Sequence, residues 1–148
     1  MRARLKLASI VLFMLLSIFL MAFGALYASV RDLLWFHAAA VPTPARDDVR
    51  PLYFALMTLI GGSSGALGLL GAYVALVPLR RGAPGAASFL AIANAVALIM
   101  AAVTAEKLAA ATGAPTSWHI MGILMAVNVG AWLASVVAMT REGAPAAT

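Results

Sequence analysis

The chain has 148 residues, of which 64% are hydrophobic and 10% charged, with a formal net charge of +5. A soluble domain carries about 25% charged residues, so a water-soluble globule is excluded. No basic cluster with interleaved aromatics accompanies the positive charge, which argues against nucleic acid, and the lack of cysteine excludes disulfides, thiolate metal sites and thiol redox chemistry.

Residues 7–30, 51–79, 82–105 and 108–140 carry no charge. A bilayer core of roughly 30 Å needs about 20 apolar residues as helix, so each run is long enough to cross it. The runs are continuous rather than alternating, which favours helices over a barrel. The expected fold class is all-α, a four-helix transmembrane bundle that makes residues 1–148 one integral membrane domain.

Span 1 covers about residues 7–30, behind Arg2, Arg4 and Lys6. Ala22-Phe23-Gly24 resembles a signal-peptide cleavage site, but the apolar stretch exceeds the roughly 7–15 residues of such a peptide. An uncleaved first helix is expected. A polar segment follows, about residues 31–50, whose centre Pro42 and Pro44 make irregular.

Span 2 covers about 52–78 and ends at Pro78, before Arg80 and Arg81. The short turn from Gly82 to Gly85 predicts that spans 2 and 3 are antiparallel neighbours. Span 3 covers about 86–111. Gly113 and Pro115 mark another short turn, and Thr116 or Ser117 is the expected N-cap of span 4, about 117–139. The remaining tail is short and small.

With both termini inside, Arg2, Arg4, Lys6, Arg80, Arg81 and Arg141 face the cytoplasm, against Arg31, Arg46, Arg50 and Lys107 outside. The excess of cations predicts that N-in, C-in topology. Trp35, Tyr53, Phe54 and Trp118 then form an aromatic belt at the outer interface.

Small residues repeat along each span. Span 2 has Thr58, Gly61, Gly65, Gly68 and Ala72; span 1 has Ser17, Gly24 and Ala28. Span 3 has Ala87, Ala91 and Ala101; span 4 has Gly122, Ala126 and Gly130. Such faces let helices approach closely in lipid, and they predict a tight bundle with little central cavity. The run Gly61-Gly62-Ser63-Ser64-Gly65 is not a phosphate loop, because no lysine follows at the required spacing. Asn94 and Asn128 both fall near mid-membrane and are expected to bond to each other.

One constellation invites chemistry. His37, Glu106 and His119 all fall on the outer side, and an ionisable group within a span, here Glu106, is a functional candidate. Together they suit general acid–base work on a lipid-like substrate. His37 and His119 with a carboxylate, Asp47 being the candidate, suit one divalent metal, and two histidines also suit a b-type haem. Against these stand interfacial roles: Lys107 snorkelling to headgroups, Glu106 lying close to water, and His119 beside Trp118.

The segment from Asp47 to Phe54, the glycine-rich span and the turn Leu79-Arg80-Arg81-Gly82 resemble small four-span bacterial inner-membrane proteins of DoxX-like architecture. The resemblance implies a multi-pass inner-membrane location and carries over no functional residue. The expected function is a small integral membrane protein acting as a non-catalytic subunit or accessory, without a cofactor. Its expected partners are the bilayer and other membrane subunits or a second copy. The alternative is a membrane-embedded enzyme with its His/Glu site at the outer, periplasmic end.

Overall fold

The computed structural model describes residues 2–140; Arg141 and the rest of the tail lie outside them. Four long helices account for the four apolar runs. They are α1 (Arg2–Ala28), α3 (Arg46–Val74), α4 (Ala86–Thr112) and α5 (His119–Thr140), with a one-turn helix α2 (Trp35–Ala38) in the polar segment. At 1.5 Å per residue, even α5, with 22 residues, reaches about 33 Å. No strand occurs among the described residues.

Helix boundaries follow local chemistry. Span 2 begins earlier than the apolar pattern suggests: α3 takes in the charged residues Arg46, Asp47, Asp48 and Arg50. Two carboxylates in its first turn complement the positive end of the helix dipole. A 3-10 turn, Thr43–Ala45, leads into α3, so the proline-containing segment is more regular than expected. At its other end α3 widens into a π-turn, Ala75–Leu79, around Pro78. Proline has no N–H and crowds the preceding turn, and a widened turn is one way to accommodate it. Gly113 ends α4 in the left-handed conformation (φ 68°), with its N–H donating to Ala109 O at 2.8 Å.

The helices pack in the order α3–α1–α5–α4, and α1 lies between two partners. Successive contacts run antiparallel: Ser17 sits against Gly71 and Ala28 against Gly61. The core gathers Phe13 and Leu16 of α1 with Val74, Ala75 and Leu79, with Ala86, Ala87 and Leu90 of α4, and with Ala131 of α5. Helices α3 and α4 are neighbours mainly near their shared turn and touch little elsewhere. The short turn predicts a fuller contact. It does not form because the glycine face of α3 is occupied by α1, while α4 pairs with α5.

The α1–α3 contact is as close as backbones allow. A Cβ at Gly24 would lie 2.6 Å from Gly61 O and 2.6 Å from Gly65 N. One at Gly68 would lie 2.7 Å from Ser17 O. Here the small-residue faces of spans 1 and 2 meet as the spacing predicts. The α4–α5 pair is joined instead by amides. Asn94 Nδ2 donates to Asn128 Oδ1 at 3.3 Å, and Asn128 Nδ2 donates to Ala91 O at 2.9 Å. Trp132 Nε1 adds a bond to Ser88 Oγ at 3.2 Å.

The expectation of four used faces fails on α5. A Cβ at Gly130 would meet nothing within 4 Å, and Ala126 is exposed. Gly122 is covered only by the ring of Trp118. Beside this strip an open-sided groove of about 350 Å³ runs between α4 and α5, walled by Ala91, Ile92, Ala95, Val129 and Trp132.

Candidate functional site

The end of the bundle where α1 and α4 finish and α3 and α5 begin holds every acid among the described residues and both histidines. It also carries Trp35, Tyr53, Phe54 and Trp118, the residues expected to form an aromatic belt.

His37 belongs to a cap over the α1–α3 pair. α2 places its ring against Tyr27 of α1 (centroids 6.4 Å), Phe36 (4.4 Å) and Tyr53 of α3 (5.5 Å). Phe19, Phe23 and Tyr27 continue this stack down α1. His37 Nδ1 lies 3.0 Å from Tyr53 Oη, and the Leu34 N–H donates to the same oxygen at 3.1 Å. We assign the phenol as the donor to Nδ1 and the Leu34 N–H as the donor to Oη, the direction of the first bond being set by the histidine tautomer. The ring then carries its own proton on Nε2, the neutral tautomer. Burial of the imidazole pushes its pKa below the ordinary histidine value, which agrees with that form.

Arginines hold this cap in place. Arg46 donates from Nη2 to Ala38 O at 3.0 Å and from Nε to Val41 O at 3.3 Å. Arg50 pairs with Asp32 at 3.0 Å and, more loosely, with Asp47 at 3.7 Å. These pairs are exposed and contribute little by themselves. The Arg46 bonds tie α3 to the segment before it: Val41 O gains a donor, and Ala38 O, which already accepts the Val41 N–H at 3.3 Å, gains a second one.

Glu106 and His119 lie in a second group, at the α4–α5 turn. Glu106 Oε1 accepts the Trp118 N–H at 3.2 Å, and Ser117 Oγ accepts the His119 N–H at 3.2 Å. Both acceptors satisfy amides at the start of α5, where a carboxylate also favours the helix dipole. Of the two candidate caps, Ser117 takes the role. Thr116 Oγ1 instead donates to Ala105 O at 2.7 Å, which pins the turn to α4. The ring of His119 stacks on Trp118 (4.5 Å), and its Nδ1 contacts Ser117 Oγ.

Among the described residues, no hydrogen bond or ring contact joins His37 to Glu106 or His119. Nor do any three His, Cys, Asp or Glu side chains among the described residues gather as a metal ion would require, His37, Asp47 and His119 included. The arrangement builds two structural devices: a phenol–imidazole cap on α1–α3 and a carboxylate–hydroxyl cap on α5. Sequence reasoning missed Tyr53 as the partner of His37. Its signal, a tyrosine in the opening turns of span 2, is visible but shared with any aromatic belt.

No family model, no curated protein and no solved structure matches this chain.

Proposed function

We propose that the protein is a small four-span inner-membrane protein that serves as a non-catalytic subunit or accessory chain, with both termini in the cytoplasm. The observation that carries this reading is the open face of α5. Ala126 and Gly130 lie one turn apart, and none of the described helices lies over them. The same kind of surface, small residues at helical spacing, is what α1 and α3 use for their closest contact. In lipid, helices associate through packing of this kind rather than by escape from water. The face therefore suits a helix of another subunit or of a second copy.

The charge distribution supports the orientation. Among the described residues, Arg2, Arg4, Lys6, Arg80 and Arg81 crowd one end with no acid, while the other end has four cations and four acids. Uncompensated cations next to spans favour the cytoplasmic side.

The test is a photo-crosslinking residue placed at Ala126 or at Gly130 in native membranes. A discrete protein adduct is expected from these positions, and none from Ala131, which is buried within the chain. Adducts with lipid alone would refute the subunit reading.

A further inference from the structure

The basic end of the bundle has a feature that topology does not require. Lys6 is half-buried rather than extended into water. Its Nζ lies over the turn between α3 and α4, 3.7 Å from where a Gly82 Cβ would stand. Gly82 has φ 77°, so the turn needs glycine there, and the ammonium sits at ordinary contact distance from that Cβ position. Lys6, Gly82, Ala83 and Ser135 line a small notch of about 30 Å³ between α1, the turn and α5. Ser135 is only 4% exposed and brings a hydroxyl to this wall. One turn along α1 from Lys6, Ser9 is fully buried and its Oγ has no hydrogen-bond partner among the described residues.

Arg2, Arg4, Lys6, Arg80 and Arg81 thus share this end of the bundle without an anion among the described residues, and Lys6 is the cation that lines the notch, beside Leu79, Ala138 and Met139. The ion pairs of the described chain, Arg50 with Asp32 and with Asp47, are both at the opposite end. Large apolar side chains are exposed at this same end of the bundle. Leu7 is exposed next to Lys6, Leu76 lies on the π-turn, and Val137 lies on α5 beside the notch residue Ala138. A ligand suited to this place has a compact anionic head and a long apolar tail. Helix-flanking basic pockets recognise lipid headgroups in this way, and the attraction acts through each Lys or Arg near the surface.

We propose that this end holds an anionic phospholipid, with its phosphodiester at Lys6 and the Gly82–Ala83 turn and its acyl chains along Leu7, Leu76 and Val137. Arg80 and Arg81 add attraction for a headgroup of net negative charge. A zwitterionic lipid presents the same phosphodiester with its charge cancelled and binds more weakly. The size of the notch admits one phosphate oxygen rather than the whole group. The hydroxyl of Ser135 is then the neutral donor that completes the contact.

Native mass spectrometry of the full chain in detergent tests this, with phosphatidylglycerol and phosphatidylcholine added in competition. Preferential retention of one phosphatidylglycerol per chain is expected. Lys6→Gln should weaken retention about fivefold, which is the effect of one lysine near an anionic surface. Lys6→Arg should preserve it, Ser135→Ala should weaken it, and Lys107→Gln at the opposite end should leave it unchanged. Equal retention of the two lipids would overturn the proposal, as would equal losses in the Lys6→Gln and Lys107→Gln variants. Displacement of the lipid by inorganic phosphate would assign the notch to a free anion and overturn it as well. The Ser135→Ala variant removes one oxygen without adding bulk, so a loss there is not a failure to fold.

Discussion

Replacing Gly61 by alanine tests the α1–α3 contact directly. The added Cβ would lie 2.5 Å from Ala28 N and 2.6 Å from Gly24 O, against 3.4–4 Å for ordinary contact. Both obstacles are backbone atoms, so no side chain can swing away. The helices must part by about 1 Å at their tightest point, which forfeits a quarter to a half of each local dispersion contact. Overpacking of this kind costs about 1–3 kcal/mol, and the better helix propensity of alanine returns about 0.5–1 kcal/mol. The expected net loss is centred on about 1 kcal/mol and reaches about 2.5 kcal/mol at most, so the central value is roughly a 5-fold change in the folded ratio. Steric trapping in bicelles measures it. Gly62→Ala is the matched control, because its Cβ would meet nothing within 4 Å; that variant should be neutral or stabilised by up to about 1 kcal/mol. The double variant Gly24→Ala with Gly61→Ala should cost less than the sum of its parts, because one separation relieves both clashes. If Gly61→Ala and Gly62→Ala prove equally stable, the close backbone contact does not hold the fold together.

Two further outcomes follow from the polar contacts. Asn128 makes two bonds between α4 and α5 and Asn94 one of them, so Asn128→Leu should cost more than Asn94→Leu, about 0.6–1.7 kcal/mol in lipid; the same trapping assay checks the order, and the reverse order would refute it. The cap should also respond to pH. The folded-state pKa of His37 is lowered by burial, so the folded form prefers the neutral ring. The stabilisation is fully present above the unfolded value of about 6.5 and is lost as pH falls through the lower folded value. Protonation puts a donor on Nδ1 as well as at Leu34 N, both directed at Tyr53 Oη, and the phenol proton loses its acceptor. The protection factor of the Leu34 amide, which corrects for the intrinsic pH dependence of exchange, should therefore fall as pH drops below the unfolded value of about 6.5, and His37→Gln should flatten that dependence. An unchanged pH profile in the variant would show that His37 is not the titrating group.

The number and rough extent of the spans were legible because an apolar solvent about 30 Å thick imposes a length and a composition on whatever crosses it. The asparagine pair was legible for a related reason: an amide in lipid has few other places to find a partner. The glycine stop at Gly113 and the serine cap at Ser117 are local, and local chemistry reads directly from neighbouring residues. None of these required knowing which helix stands beside which.

The pairing of faces did require it. Spans 1, 2 and 4 all repeat small residues, yet Gly24 meets Gly61 and Gly65 while Gly130 stands open. Lipid gives helices no hydrophobic incentive to associate, so shape fit along the whole length selects partners, and spacing along one span does not encode that fit. The three ionisable candidates show the same division. Sequence alone placed His37, Glu106 and His119 at one end of the bundle. Only the tertiary structure assigned His37 to Tyr53 over the α1–α3 pair and Glu106 to the first amides of α5, because a hydrogen bond depends on where two different helices bring their ends.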